Sequence, residues 1–145
     1  MSPGLPALRF HHVGFVVADI AAAVNGFTVS LAATWDGHTH LDPLQKVKVA
    51  FLAAGNGATE IELVEPASED SPVMRFLQQT GGGLHHVCYE VEDLEKQVAD
   101  MKSRGCLIVR RGKPAVAFGG RRIAWMLTAE KLLVELLERR AAHGQ

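Results

Sequence analysis

The chain has 145 residues, 48% of them hydrophobic and 21% charged, and its 15 Lys and Arg residues nearly balance its 16 Asp and Glu residues. The absence of a basic stripe argues against nucleic acid as a partner, and no apolar run approaches the ~20 residues that span a bilayer. This length is typical of one domain, so we expect a single domain over residues 1–145.

Two features of the sequence favour a cytoplasmic location. The first residues, MSPGLPAL, carry no positively charged side chain before Arg9 and contain no long apolar segment, so they do not look like a signal peptide. Cys88 and Cys106 are too few for a disulfide framework and suit a reducing compartment. We therefore expect a cytoplasmic protein.

A segment near the start of the chain recurs 74 residues later. FHHVGFVVADIAAAV at 10–24 and LHHVCYEVEDLEKQV at 84–98 share six of fifteen positions, including both histidines. Two further matches follow in the same order, VKVAFL with RRIAWM and IELVEP with VELLER. Three ordered matches indicate a duplicated unit, so we predict two modules, 10–66 and 84–139.

Each module is predicted to fold as β-α-β-β-β. HHVGFVV and HHVCYEV alternate and are rich in β-branched and aromatic residues, as strands are. Asp19 and Asp93 follow where a carboxylate can cap a helix, and in the second module Leu94 and Val98 recur at helical spacing before a stop at Gly105. VKVAFLAA, EIELVE, RRIAWML and LLVELLE read as the later strands.

The segment 67–83 between the modules is predicted to contain a linker helix. In SPVMRFLQQTGGG, Ser71 can cap the helix, Pro72 suits its first turn, and the run Gly81–Gly83 ends it.

Alternation along the strands separates the histidines of each module. Because successive strand residues point to opposite faces of a sheet, the apolar residues of the first strands define a helix face: Val13, Phe15 and Val17, then Val87, Tyr89 and Val91. The opposite side, here called the far face, receives His12 and His86, whereas His11 and His85 belong with the core or the strand edge.

The same alternation assigns one glutamate per module to the far face. In the first module Ile61 and Leu63 belong to the helix face, so Glu62 between them points to the far face, and Glu135 does the same in the second module. If the two sheets pair into one curved cup, His12, Glu62, His86 and Glu135 converge. Two imidazole nitrogens and two carboxylate oxygens would hold a divalent metal ion and leave positions for substrate or water. The sequence therefore predicts a metal site.

Two basic residues separated by the repeat distance, Lys48 and Arg122, are candidate substrate-binding residues. Alternation groups them with Ala50 and Ala124, and we expect them to face the cup and attract a carboxylate or phosphate. The alternative is a pair of solvated edge residues.

A second histidine motif, His38 and His40 in WDGHTHLDP, competes as a metal site. A cupin-like site would need further ligands downstream, and LQKVKVAFL supplies none. We therefore expect a surface loop.

Over nearly its whole length the sequence resembles the vicinal oxygen chelate superfamily, which has the glyoxalase fold, and within it the methylmalonyl-CoA epimerase family. The runs that carry this resemblance are HHVGFVVADI, VKVAFLAAGNGATEIELVEPASEDSPVMRFL, GGGLHHVCYEVEDLE and LLVELLE. The resemblance implies an α+β fold in which two tandem β-α-β-β-β modules form a curved, cup-like sheet. It also implies a homodimer that acts on a small-molecule substrate.

In such epimerases the metal ligands occupy the positions of His12, Glu62, His86 and Glu135. The resemblance implies one divalent ion (Co, Ni, Zn, Mn or Mg) and abstraction of a proton next to the carbonyl of an acyl-CoA thioester or a similar substrate. Glu135 or Glu62 would act as the base. Pure ligation by both glutamates, with the base elsewhere, is the alternative.

Three other functions of the same fold stay open at this point. A lyase of the glyoxalase I type, which acts on a hemithioacetal, shares these short motifs. An iron-dependent dioxygenase typically uses two histidines and one carboxylate, so two matched glutamates disfavour it. A small-molecule-binding or resistance protein often lacks ligands, so a complete set counts against it.

Overall fold

A computed structural model describes residues 8–55, 57 and 59–140, and the chain divides into two compact units. One unit spans His12–His85, and the other combines the chain up to His11 with the chain from His86 onward. In the described part of the chain, no helix is long and apolar enough to cross a membrane.

The first half of the chain contains five strands and two helices among its described residues. They are β1 (Arg9–Val16), α1 (Ile20–Leu31), β2 (Thr34–Trp35), β3 (His40–Asp42), β4 (Val47–Ala54), β5 (Thr59–Pro66) and α2 (Met74–Thr80). β1 pairs in parallel with β5, β5 pairs antiparallel with β4, and β2 and β3 both pair antiparallel with β4. The predicted second strand is thus two short strands.

The second half repeats this order. It consists of β6 (Gly83–Val91), α3 (Leu94–Ser103), β7 (Leu107–Pro114), a 3-10 turn (Val116–Phe118), β8 (Arg122–Leu127) and β9 (Leu133–Glu138). β6 pairs in parallel with β9, followed by antiparallel β8 and β7. In each half the helix connects the first strand to a strand at the outer edge of the sheet. Antiparallel strands then lead back to the first strand, and the last of them pairs with it in parallel.

The predicted caps of the main helices are confirmed. The Asp19 carboxylate accepts a hydrogen bond from the Ala22 N–H at 3.3 Å, and the Asp93 carboxylate accepts one from the Lys96 N–H at 3.1 Å. After α3, Gly105 has a φ of +99°, which a glycine adopts without strain.

The linker helix begins later than predicted. α2 starts at Met74, because a turn in which the Ser71 carbonyl accepts the Met74 N–H precedes it. Ser71 therefore does not cap the helix itself, although its hydroxyl accepts the Val73 N–H at 3.4 Å. Gly81, with a φ of +80°, ends the helix as expected.

Each half packs its helix on the face that the alternation predicted. Below α1 the buried cluster includes Leu52, Ile61 and Leu63, with Val13 and Phe15 packed against it. The equivalent cluster below α3 has these buried members: Val91, Leu94, Val98, Ala124, Met126, Val134 and Leu136. Burying one Leu or Val side chain contributes about 1.5–3 kcal/mol, so these clusters hold each helix on its sheet.

Candidate metal centre

A histidine and a glutamate meet on the far face of the first unit. Gly14 on β1 stands beside Glu62 on β5, so His12, two residues earlier on β1, shares the face of that glutamate. His12 Nε2 lies 3.4 Å from Glu62 Oε1, and the two side chains are 0% and 6% exposed. Phe51 of β4 stands opposite Glu62, and its ring makes an edge contact with the His12 ring at 5.7 Å.

The second unit repeats this arrangement. Cys88 on β6 stands beside Glu135 on β9, and His86 Nε2 lies 3.3 Å from Glu135 Oε1. Both side chains are almost fully buried. Trp125 of β8 stands opposite Glu135 and makes an edge contact with the His86 ring at 4.7 Å.

The first histidine of each His-His sequence, His11 or His85, lies outside these histidine–glutamate pairs. The His11 ring contacts the Phe118 ring at 5.5 Å, and the His85 ring contacts the Phe76 ring at 5.0 Å. His40 lies in β3, not in the predicted surface loop, and its partly buried ring contacts Phe51 at 6.4 Å. His38 is exposed, as expected.

Each histidine–glutamate pair suits a divalent metal ion. Two donor atoms that are each ~2.1 Å from one ion and enclose a tetrahedral angle stand about 3.4 Å apart, close to the separations in both pairs. A buried carboxylate costs free energy unless a cation or hydrogen bonds compensate it. The chemistry of the donors therefore fits the predicted ion.

Residues 11–125 match the family model of the Glyoxalase/Bleomycin resistance protein/Dioxygenase superfamily. The chain belongs to this superfamily. The predicted resemblance is confirmed.

The relatives within this superfamily include epimerases of acyl-CoA thioesters. An ethylmalonyl-CoA/methylmalonyl-CoA epimerase of Cereibacter sphaeroides is 34% identical over 119 residues, which cover 81% of this chain and 87% of the relative. The crystal structure of methylmalonyl-CoA epimerase from Mycobacterium tuberculosis has a TM-score of 0.81 at 26% identity and covers 97% of this chain and 93% of that chain.

A Streptomyces coelicolor methylmalonyl-CoA epimerase variant in complex with 2-nitronate-propionyl-CoA has a TM-score of 0.78 at 27% identity. The match covers 93% of this chain and 100% of that chain. These likenesses confirm the predicted α+β glyoxalase fold and its methylmalonyl-CoA epimerase relatives.

The predicted orientation of Lys48 is wrong. Lys48 stands opposite Glu65, and Ala50 opposite Leu63, so this register places Lys48 on the helix face. Its Nζ lies 3.8 Å from Glu65 Oε2. Alternation had grouped Lys48 correctly with Ala50, but Ala50 is a fully buried residue of the core below α1, where a small side chain lets the helix approach.

The predicted orientation of Arg122 is wrong for the same reason, because Ala124, with which alternation grouped it, also lies in a helix-face core. The Arg122 guanidinium donates to Glu138 at 2.8 Å and lies 2.6 Å from Glu95 of α3. The hydrogen bond to Glu138 raises the pKa of Arg122, and the same bond lowers the pKa of Glu138. Both basic residues therefore tie strands to helix-face carboxylates, away from the far face.

The sequence analysis missed Phe51 and Trp125. They are 74 residues apart, the distance that relates His12 to His86, and both are aromatic. This was a usable signal, because an aromatic residue at the same strand position in both modules indicates an equivalent role in both modules. In each unit the aromatic ring packs on the imidazole and restricts its orientation.

We predict a pH-dependent contribution from Glu138 to the free energy of unfolding. Its pKa is lower in the folded chain, so the contribution is present above the ordinary value of 4.5 and is lost as the pH falls through the folded value. Glu138→Gln should therefore lower the free energy of unfolding at pH 7 by at most about 1 kcal/mol, because the pair is partly exposed.

Chemical denaturation between pH 7 and pH 3 measures this contribution. The difference between Glu138→Gln and the unsubstituted chain should shrink below roughly pH 4.5. Glu130→Gln, in an exposed turn, serves as the control. A constant difference at all pH values would show that the lowered pKa contributes nothing to stability.

Proposed function

We propose that this protein is a metal-dependent epimerase that moves the proton next to the carbonyl of a methylmalonyl-CoA-like acyl thioester. The observation that carries the proposal is the buried histidine–glutamate pair, which occurs on equivalent strands of both units. The epimerase name of the Cereibacter sphaeroides relative, which is 34% identical over 81% of this chain, supports the same reaction class.

We propose further that the two pairs, His12 with Glu62 and His86 with Glu135, hold one divalent ion: Co, Ni, Zn, Mn or Mg. Two imidazole nitrogens and two carboxylate oxygens suit such an ion and leave positions for other ligands. When bound, the ion would supply Lewis-acid stabilisation of the negative charge that develops on a carbonyl oxygen.

The side chains of the chain itself would move the proton and exclude water. A glutamate carboxylate, Glu135 or Glu62, takes the α-proton, and the electron pair of the broken C–H bond stays on the substrate as an enolate. Return of a proton to the opposite face of the α-carbon forms the new C–H bond of the epimer. Phe51 and Trp125 keep the imidazole rings fixed and surround them with apolar surface. A glutamate acting in this dry environment needs little rearrangement when charge develops.

The single domain over 1–145, the homodimer and the cytoplasmic location stay predictions.

Exchange of the α-proton into deuterated water tests the reaction class. We expect the metal-loaded protein to exchange the α-proton of methylmalonyl-CoA, and to leave the hemithioacetal of glutathione and methylglyoxal unchanged. Mass spectrometry of the recovered thioester gives the exchange rate, and the protein with chelator present is the control. Conversion of the hemithioacetal, without thioester exchange, would replace the epimerase proposal with a lyase of the glyoxalase I type.

A further inference from the structure

A cation lies on the far face of the second unit in the same row as Trp125 and Glu135. Arg110 of β7 stands opposite Trp125 of β8, and Trp125 stands opposite Glu135 of β9. Residues directly opposite each other on antiparallel strands share a face of the sheet. Arg110 therefore lies on the face of the histidine–glutamate pair, next to the aromatic residue that contacts His86.

Two irregularities in β7 give Arg110 this position. The register shifts between Ile108 and Arg110 and again between Arg110 and Lys113. Ile108 packs against the helix-face core, so in a regular strand Arg110, two residues later, would share the helix face. A bulge inserts one residue and re-aims the next side chain.

The glycine after this segment supports the assignment. A Cβ added at Gly112 would lie 2.9 Å from Leu94 Cδ2 of α3, so Gly112 is on the helix face. In a regular strand Arg110 would share the face of Gly112, and the second register shift separates them. Arg110 is half-buried, whereas its neighbour Arg111 is exposed.

A guanidinium on the far face beside Trp125 is suited to binding a carboxylate. Its planar fork donates two parallel hydrogen bonds to a carboxylate, and it remains charged when partly buried. A malonyl-type acyl group carries one free carboxylate, and on an apolar, partly buried face a cation beside that charge stabilises it, which Arg110 can supply in addition to the proposed metal ion. Lys48 and Arg122 cannot supply it from the helix face.

We propose that Arg110 binds the free carboxylate of the acyl group and gives the site its preference for malonyl-type over simple acyl-CoA thioesters. This inference rests on the proposed function, because it assumes an acyl-CoA substrate. Lys113, opposite Ile123, shares the far face but is exposed and lies three residues further along β7. It is the competing candidate.

Calorimetric titration with malonyl-CoA and acetyl-CoA tests the inference without turnover. Both ligands carry the same CoA phosphates, so the ratio of their affinities isolates the acyl carboxylate. Arg110→Met should weaken malonyl-CoA binding by about 10- to 100-fold, as expected for a charge-assisted hydrogen bond, and leave acetyl-CoA within about 2-fold. The malonyl-CoA affinity of Arg110→Lys should lie between those of the unsubstituted protein and Arg110→Met, because lysine keeps the charge but lacks the planar fork.

Arg111→Met is the matched control, since it removes an adjacent exposed arginine, and it should leave the ratio unchanged. Equal weakening of both thioesters by Arg110→Met would mean that Arg110 binds the CoA phosphates and would overturn the proposal. Loss of the preference in Lys113→Met instead would overturn it too. If Arg110→Met does not fold, the ratio in Arg110→Lys decides, because an unchanged ratio there excludes bidentate carboxylate binding.

The same titrations separate this inference from the proposed function. Exchange of the α-proton of methylmalonyl-CoA together with an unchanged affinity ratio in Arg110→Met refutes the role of Arg110 alone. Absence of that exchange in the unsubstituted protein refutes the epimerase itself.

Discussion

Glu135→Gln is expected to slow exchange of the substrate α-proton by about 10²- to 10⁴-fold, the usual contribution of a positioned general base. The amide keeps the size of the side chain and one oxygen donor, but it has neither the charge nor the basicity to take a proton. The metal should still bind, more weakly, because three of the four proposed ligands remain. The measurement is the rate of deuterium incorporation into methylmalonyl-CoA at saturating metal.

Glu62→Gln is the matched control, because Glu62 has the same place in the other unit. If Glu135 is the base, Glu62→Gln should lower metal affinity and recover most of its exchange rate when excess metal is added. The reverse result, with full recovery in Glu135→Gln and none in Glu62→Gln, would move the base to Glu62. Recovery in both variants would mean that both glutamates are only ligands.

The residues of the two pairs could be found from sequence because two independent regularities coincide there. Strand alternation put His12 and Glu62 on one face, and the internal repeat gave His86 and Glu135 the same relation. The structure brings each histidine within 3.4 Å of the glutamate of its own unit. A period of two survives in these strands because their pairing with each other is regular.

The same rule failed for Lys48 and Arg122, and for a different reason it could not have placed Arg110, about which the sequence analysis made no prediction. For Lys48, alternation gave the correct grouping with Ala50 but could not tell which face the helix covers, since an alanine suits both a cup and a close helix contact. For Arg110, alternation itself breaks down, because the two register shifts in β7 change the face between neighbouring positions. A bulge has no dependable signature in a single sequence.

His40 illustrates a third limit. The Gly, Pro and Asp residues around WDGHTHLDP predict a loop, and the strand that the structure contains there is only three residues long, His40–Asp42. Its stability comes from pairing with the longer strand β4. A strand formed by tertiary pairing leaves little trace in local propensity.

Binding of a divalent ion should raise the melting temperature of the chain substantially. An ion that binds only the folded state stabilises it by about 4 kcal/mol at a concentration 1,000 times its dissociation constant, which corresponds to roughly 10–15 °C for a chain of this size. Calorimetry with Co²⁺ or Zn²⁺ and then with excess chelator measures the shift. A transition that neither addition moves would contradict the metal site.

Single substitutions decide whether the two pairs share one ion. His12→Asn removes a donor from one unit and His86→Asn removes one from the other, while His11→Asn and His85→Asn are controls that alter the neighbouring histidines. If the two pairs share an ion, the chain binds one ion in total. Either His12→Asn or His86→Asn then abolishes most of the metal-induced rise in melting temperature, because each removes a ligand of the same ion. If each pair held its own ion, the chain would bind two, and each variant would retain one ion and a large part of the shift. That second outcome would refute the shared metal site.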